Sequence, residues 1–563
     1  MKETASKHGN RYVPVILVGL LGLLVFSIVL LSLVPPVSKD ELVHHLAVPK
    51  LYLKHGGMFE IPFMPFSYYP MNLDLLYLIP LYFGNDIVPK FIHFTFALLT
   101  AWLIFRYLKK RTDWTYALFG ILFFLSTPLI IKLSITAYID LGIIFFSTAA
   151  LLFLMEWVDS GFKMKFLVIA AVFCGLGLGT KYNGLITLFL LTLFVPLLYG
   201  RAGGTKKAGL FRPAWHGLVF LLVSLTVFSP WMLRNYSWTR NPIYPLYNHW
   251  FNAPGPAIEA AASDKSESEE SRGGHGIFVY RRAIYGEQGW QIALLPFRIF
   301  FEGKDADPQR FDGKLNPFLF LYLLFAFYRS REDPYAEKRE KAFLLAFVVL
   351  FFAYAFFSVD LRMRYISPIL PPLVILSVFG LRNLIRRAKA ASSQKARRGA
   401  VGLLYGTVLF SLAMNGEYLL TQFRYVDPFT FIAGRLGREE YLARFLPEYP
   451  SVQHINRHLP SDAVVSLVFV GNRGYYLDRT YVYGEETLRQ LIKKGPSPED
   501  VLSGLKKSRI THFLVRDHLL EKWSLINFTE QEKERMHEFF AKCGHAVHQS
   551  RGFTLWSLRN TSP

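Results

Sequence analysis

The sequence predicts a polytopic α-helical membrane protein that ends in a small soluble α/β domain. Three observations carry that expectation. Of the 563 residues, 52% are hydrophobic and 16% aromatic, with a mean hydropathy of +0.25, which does not suit a soluble chain. The apolar residues gather into runs such as PVILVGLLGLLVFSIVLLSLVPP after Arg11, near the ~20 residues that cross a bilayer core. Beyond residue 417 the pattern changes to the mixed alternation of a soluble domain.

The first run is longer than a cleavable signal core and lacks a small-residue cleavage site, so it reads as a retained span behind the basic stretch Lys2, Lys7 and Arg11. Further apolar runs follow at 86–107, 114–134, 139–157, 165–180, 183–199, 215–233, 315–328, 342–359, 366–381 and 399–416. Together they predict about eleven spans, some shorter than ideal. Threading the chain through them puts the clusters Arg106/Lys109/Lys110/Arg111, Lys163/Lys165, Arg201/Lys206/Lys207/Arg212, Arg329/Arg331/Lys338/Arg339/Lys341 and Arg382 to Arg398 on one side. The positive-inside rule makes that side cytoplasmic. The net charge of +21 is then a matter of topology, and a nucleic-acid partner is not called for. On the other side, the periplasm of a bacterial cell, lie the loop 38–85, the turn Thr136–Asp140, Lys181, the long loop 234–314, the turn Asp360–Tyr365 and everything after about residue 417.

Residues 1–417 thus read as a membrane domain and 418–563 as an exported α/β domain. Within the latter, SDAVVSLVFV and RITHFLVRD look like strands, and SPEDVLSGLKK and TEQEKERMHEFFAKC like helices opening at Ser and Thr caps. Within the long outer loop, residues 262–276 (ASDKSESEESRGGHG) are small, polar and acidic and read as a flexible tip. The two cysteines, Cys174 in an apolar run and Cys543 far away, are not expected to pair.

The candidate chemistry lies on the outer side. Asp40 and Glu41 follow the first span and open an amphipathic stretch; a helix cap would use the same residues. Asp140 closes a very short turn between two apolar helices, where an ionisable group is costly and either caps the next helix or serves a function. Lys181 and the pair Arg362/Arg364 sit where the charge bias disfavours them. Either they snorkel or they clamp a phosphate, for which the planar donor fork of arginine is suited. His44 and His45 lie one helical turn from Asp40 and Glu41, and a divalent metal held by Asp40, Asp140 and His45 is a weakly supported option. GLGLGTK is not a phosphate-binding GxxxxGK[ST] loop, and no GxSxG or HExxH occurs.

KDELVHHLAVPKLYLKHGG after a first span, then FSYYPMNLDLLYLIP, GLGLGTKYNGL, PWMLRNYSWTRNPIYPLY and RMRYISPILPPL, resemble the GT-C superfamily of multispanning glycosyltransferases. The resemblance is greatest to the bacterial proteins grouped with dolichyl-phosphate-mannose protein mannosyltransferases and the lipid A aminoarabinose transferase. It implies a GT-C fold and transfer of a sugar from a polyprenyl-phosphate donor to a glycan, lipid or protein acceptor at the outer face of a bacterial inner membrane. It also implies roles: Asp40 as catalytic base, Glu41 as the second letter of its motif, Asp140 as an active-site or metal acid, and Arg364 with Tyr365 beside the lipid phosphate. Lys50 and Lys181 are further phosphate-binding candidates by position. Metal use differs among branches of the superfamily, so a divalent ion is one option. The readings from other classes are a transporter or flippase of lipid-linked sugars, or a non-catalytic scaffold with an exported binding domain. A transporter predicts polar residues within the spans, which here are nearly free of them.

Overall fold

The computed structural model describes residues 4–202, 211–252, 277–328, 334–357 and 361–558. The polar segment 262–276, Asp360, and the basic residues Lys206, Lys207, Arg329 and Arg331 lie outside the described residues.

Helix α1 (Thr4–Ser32) leads to a π-helical turn, Glu41–His45, and then to α2 (Ala47–His55) and α3 (Asn72–Tyr82). The bundle continues through α4 (Val88–Arg111), α5 (Trp114–Ser126), α6 (Pro128–Ser134), α7 (Asp140–Asp159), α8 (Met164–Leu178), α9 (Gly184–Ala202) and α10 (Phe211–Thr239). Later come the helices Phe318–Leu323, Tyr335–Phe356, Met363–Lys389 (its first turns 3-10) and Gln394–Val426. Each apolar run read from the sequence contains helix, though not always a single span. Among the described residues seven helices are long and apolar enough to cross a membrane unaided, or eight with the bent pair α5 and α6. Phe318–Leu323 is too short, and Tyr335–Phe356 opens on the charged stretch AEKREK. The last long helix runs on to Val426, past residue 417 where the sequence places the start of the exported part.

The run 114–134 does not form one straight span: α5 and α6 meet at 65°. Pro128 opens α6 without an N–H to offer, and the preceding Thr127 is held out of the helical region at ψ 130°, as a pre-proline residue usually is. The centre of the bundle is α7 and Met363–Lys389, with 83% and 94% of their apolar windows buried, against 11% for Gln394–Val426. That last helix and α1 leave Leu403, Leu409, Phe410, Val15, Ile16 and Leu23 exposed, as a lipid-facing surface requires. Helices approach closely at Gly380, where a Cβ would overlap the Tyr322 carbonyl oxygen; small residues permit such contacts in membranes.

One end of the bundle gathers the basic connectors. Arg111 pairs with Glu340, Lys110 with Glu156 at 3.2 Å and Asp159 at 3.1 Å, Lys341 with Glu337 at 2.7 Å, and Arg382 with Glu337. Asp40, Lys181 and Arg364 instead line the cavity described below, with Asp140 buried behind Lys181.

The tail is a five-stranded sheet, β1 (Val464–Val468), β2 (Thr480–Tyr483), β3 (His512–Arg516), β4 (Gly544–Ser550) and β5 (Phe553–Leu558), in the order β2-β1-β3-β5-β4. β1 runs parallel to β2 and β3, while β5 is antiparallel to both β3 and β4. The two strands and two helices expected from sequence are β1, β3, Pro498–Lys507 and Glu530–Cys543, the helices opening on capping boxes at Ser497 and Thr529. Cys174 and Cys543 are both buried and form no disulfide with each other.

The segment Tyr475–Asp478 fastens the tail to the membrane domain. In the π turn the Leu46 N–H reaches back to the Glu41 carbonyl, a ring one residue wider than an α turn. The Leu42 carbonyl accepts instead from the Tyr475 N–H at 3.1 Å. Lys50 donates to the Tyr475 and Leu477 carbonyls and to Asp478, and the Tyr476 hydroxyl to the Pro36 carbonyl at 2.8 Å.

Candidate active site

A cavity of about 620 Å³ lies between turns at one end of the bundle and the tail sheet. Phe66 to Met71 and Ile139 form part of its membrane-domain wall, and the charged side chains of that wall come from three short stretches: Lys39 to His45 before α2, Thr180 to Asn183 between α8 and α9, and Arg362 to Tyr365 at the head of the central helix. Each is anchored by burial of apolar neighbours, Leu42, Leu178 and Ile366 among them, which leaves the polar side chains at the cavity wall.

Asp40 occupies the N-cap position of the π turn but caps nothing. Its carboxylate takes an ion pair from the Arg364 guanidinium. Burial pushes the Asp40 carboxyl up, but Arg364 together with His44 outweighs that, and the group is held well below the ordinary carboxylate range. Asp140 likewise makes no cap at the start of α7. One of its oxygens accepts from Lys181 at 2.7 Å; the other is buried without a hydrogen-bond partner. The Tyr365 ring lies between the two cations, 5.4 Å from the Lys181 ammonium and 5.3 Å from the Arg364 guanidinium, and its carbonyl accepts from Asn183 at 3.1 Å. Arg362 lines the same wall. Asp40, Asp140, Lys181, Arg362, Arg364 and Tyr365 therefore converge, from four separate stretches of chain.

Two residues expected here lie elsewhere. Glu41 turns away from Asp40 and accepts from the Ser38 N–H at 2.9 Å and the Ala137 N–H at 2.6 Å, bordering a second cavity beside Lys90. Ser38 and Glu41 have the spacing of a capping box, so the helix-cap reading applies to the second carboxylate and not to the first. Lys50, read as a phosphate ligand, is spent on the carbonyls and Asp478 of the tail.

The groups considered for a divalent cation face different partners: Asp40 faces Arg364, Asp140 faces Lys181, and His45 Nδ1 faces Asp74 at 2.8 Å. Among the described residues no group of three or more His, Cys, Asp or Glu side chains is gathered where it could hold a metal ion. His44 stacks on Phe66 at 4.5 Å. Burial pulls both His44 and His45 down to about 3, and pushes Asp74 up to about 7, so the two imidazoles are neutral at physiological pH.

Sequence reasoning passed over Asp74, an acid inside the apolar stretch LDLLYLIP; its isolation there was the available signal. It also passed over Arg234, which donates to the Tyr68 and Tyr69 carbonyls at 2.6 and 3.1 Å and so fixes the loop carrying Phe66 and Tyr69 into the cavity wall. Nothing in the sequence pointed to the tail residues of the wall, Phe469, Gly471, Asn472, Glu485 and Leu519.

Comparison with known proteins agrees with this architecture. The sequence profile of the dolichyl-phosphate-mannose-protein mannosyltransferase family matches residues 77–233. No curated protein sequence matches the chain. Among solved structures, ArnT from Cupriavidus metallidurans bound to undecaprenyl phosphate superposes with a TM-score of 0.57 at 13% identity, over 97% of this chain and 98% of that one. The oligosaccharyltransferase of Archaeoglobus fulgidus in its apo form gives a TM-score of 0.52 at 14% identity, over 96% of this chain and 75% of that one. With the multispanning bundle, the broken outer turns and the small terminal sheet all in place, the chain has the GT-C fold of the membrane glycosyltransferases.

Proposed function

We propose that this protein transfers a sugar from a polyprenyl-phosphate donor to an acceptor hydroxyl at the outer face of a bacterial inner membrane. The observation that carries the reading is the Asp40–Arg364 pair: an ionised carboxylate and a guanidinium facing one cavity at the membrane's edge, with Lys181 and Arg362 on the same wall. A donor phosphate entering there is a second anion for Arg364, which binds it through charge-assisted hydrogen bonds. As Arg364 turns to the phosphate, Asp40 loses its counter-charge and its proton affinity rises toward that of a working base. Asp40 then takes the proton of the acceptor hydroxyl while the acceptor oxygen bonds to the anomeric carbon. The bond from that carbon to the phosphate oxygen breaks, and the electron pair leaves with the polyprenyl phosphate, whose charge Arg364 and Lys181 hold. Asp140 keeps the Lys181 ammonium in place, and Asp40 returns its proton to water.

ArnT, whose fold the chain shares, is described with undecaprenyl phosphate bound, and such a lipid suits a cationic wall beside membrane spans. The basic connectors gathered at the opposite end support an outer location for the cavity by the positive-inside rule. Incubating the purified protein in lipid nanodiscs with a panel of polyprenyl-phosphate sugars and a panel of hydroxyl acceptors, namely glycosides, Ser/Thr peptides and glycolipids, should lead to consumption of at least one donor. A protein that consumes none, while binding them, would be a carrier and not a transferase.

A further inference from the structure

The cavity has two walls that differ in charge. The membrane domain contributes all the lining cations, along with Asp40, Asn183 and several aromatic rings, while the tail contributes an aromatic ring, an amide and a carboxylate with no cation: Phe469, Asn472 and Glu485. These residues are not scattered over the tail. Phe469 and Asn472 follow β1, Glu485 follows β2, and Leu519, also in the wall, follows β3. All three parallel strands thus point their carboxyl ends at the cavity. The chain leaves β1 for the neighbour on one side and later returns to the neighbour on the other, which opens the crevice where parallel sheets take their ligands.

The turn after β1 is held in an uncommon shape. Phe469 and Asn472 have φ of 58° and 59°, a region that asparagine tolerates but a bulky side chain such as phenylalanine rarely adopts. Conformations of this kind persist where the surroundings impose them, and they cluster at ligand sites. Here the Glu485 carboxylate accepts from the Phe469 N–H at 2.7 Å, and the Tyr483 hydroxyl donates to the Asn472 carbonyl at 3.3 Å. A few residues on, Tyr475 is bonded to the Leu42 carbonyl beside Asp40. The turn is therefore fixed both to its own sheet and to the stretch that carries Asp40.

We propose that this turn is the acceptor wall of the cavity and that the acceptor it fits is a sugar ring. The inference rests on the transferase reading above and adds to it the class of acceptor. A carboxylate and an amide lining one wall match the hydroxyls of a sugar, and an aromatic ring matches the C–H face of a pyranose. The same carboxylate repels a phosphate. The donor phosphate, tied to the membrane by its lipid, belongs with Arg364 and Lys181, and the tail wall is left to the partner that supplies the hydroxyl.

The test uses the full-length protein in nanodiscs, the polyprenyl-phosphate sugar it consumes fastest, and two acceptor probes: a set of methyl glycosides and a Ser/Thr tripeptide. Asn472→Gly removes the amide and tolerates the positive φ; Glu485→Gln keeps an oxygen for the Phe469 N–H and removes the charge. A methyl glycoside should accelerate donor consumption with saturation. Each variant should raise the KM for that glycoside tenfold or more, with the donor KM within twofold of wild type and the melting temperature retained. Acceleration by the tripeptide alone, or an unchanged glycoside KM in both variants, would overturn the sugar wall. A rise in donor KM instead would assign the turn to the donor and overturn its acceptor role. Absence of donor consumption under every condition would overturn the transferase reading itself, which the other outcomes leave standing.

Discussion

Asp40 and Glu41 are adjacent in sequence and opposite in role, because consecutive helical residues point about 100° apart. Asp40 reaches Arg364 across the cavity, while Glu41 ties two backbone turns together behind it. Asp40→Asn keeps the shape and removes the proton acceptor, so transfer should fall about a hundredfold or more in a protein that still melts as wild type; donor turnover and a thermal scan measure both. At Arg364 the phosphate clamp and simple snorkelling give opposite results. Arg364→Ala should weaken donor binding strongly, and Arg364→Lys should restore only part of it, since the two-point contact is gone. Donor titrations of the two folded variants check this, and a fully competent Lys variant would point to snorkelling. The residues legible in the sequence were those that broke a rule: Asp140, Lys181 and Arg364 are charged where the membrane makes charge costly. Lys50, placed beside the phosphate by the resemblance alone, serves instead to dock the tail.

At the scale of the element, the π turn binds protons differently folded and unfolded. His44 is neutral when folded and has a pKa near 6.5 when unfolded, so the unfolded chain takes up a proton that the native one refuses, and the stability His44 confers declines as pH falls below that value. His45 and Asp74 nearly cancel: between about pH 4 and 6.5 the buried pair holds one proton on Asp74, and the unfolded pair holds one on the histidine. Burial pushes Glu41 up, which acts in the opposite sense to His44, so a comparison isolates the imidazole. From pH 7 to 5, His44→Gln should lose up to about 2 kcal/mol less stability than wild type, read as a smaller drop in melting temperature. Packing is equally specific. Gly380→Ala forces a methyl against the Tyr322 backbone, whereas Gly402→Ala meets nothing within 4 Å. The first should cost about 2 kcal/mol or more and the second almost nothing, a contrast visible in thermal melts. The sequence showed the long apolar helices through their length and composition. It did not show the bend at Thr127, whose cause is one proline inside an otherwise continuous run, or β2, β4 and β5, which are short or half-exposed and lack a continuous apolar signal.

At the scale of the whole molecule the charge distribution predicts the orientation. A reporter joined after Pro563 should work only on the outer side of the membrane, since the basic connectors collect at the end of the bundle away from the tail. Activity of a cytoplasmic reporter there would invert the topology and place the cavity inside the cell. The overall plan, a bundle followed by a small sheet, was legible because hydropathy changes once along the chain. That the sheet forms part of the site was not, since its contacts join residues more than 400 positions apart, as in the bond from Lys50 to the Tyr475 carbonyl. This separation has a consequence in time. A ribosome adds about 5–20 residues per second, so the Leu42 carbonyl, made early, waits roughly 20–90 s for the Tyr475 N–H that will satisfy it. For roughly the last quarter of that interval, once Arg364 has been made, Asp40 and Arg364 can both be in place with no wall facing them. The protein therefore matures last at the place where its chemistry lies, and a chain stalled late in synthesis is a bundle with an open and incomplete centre.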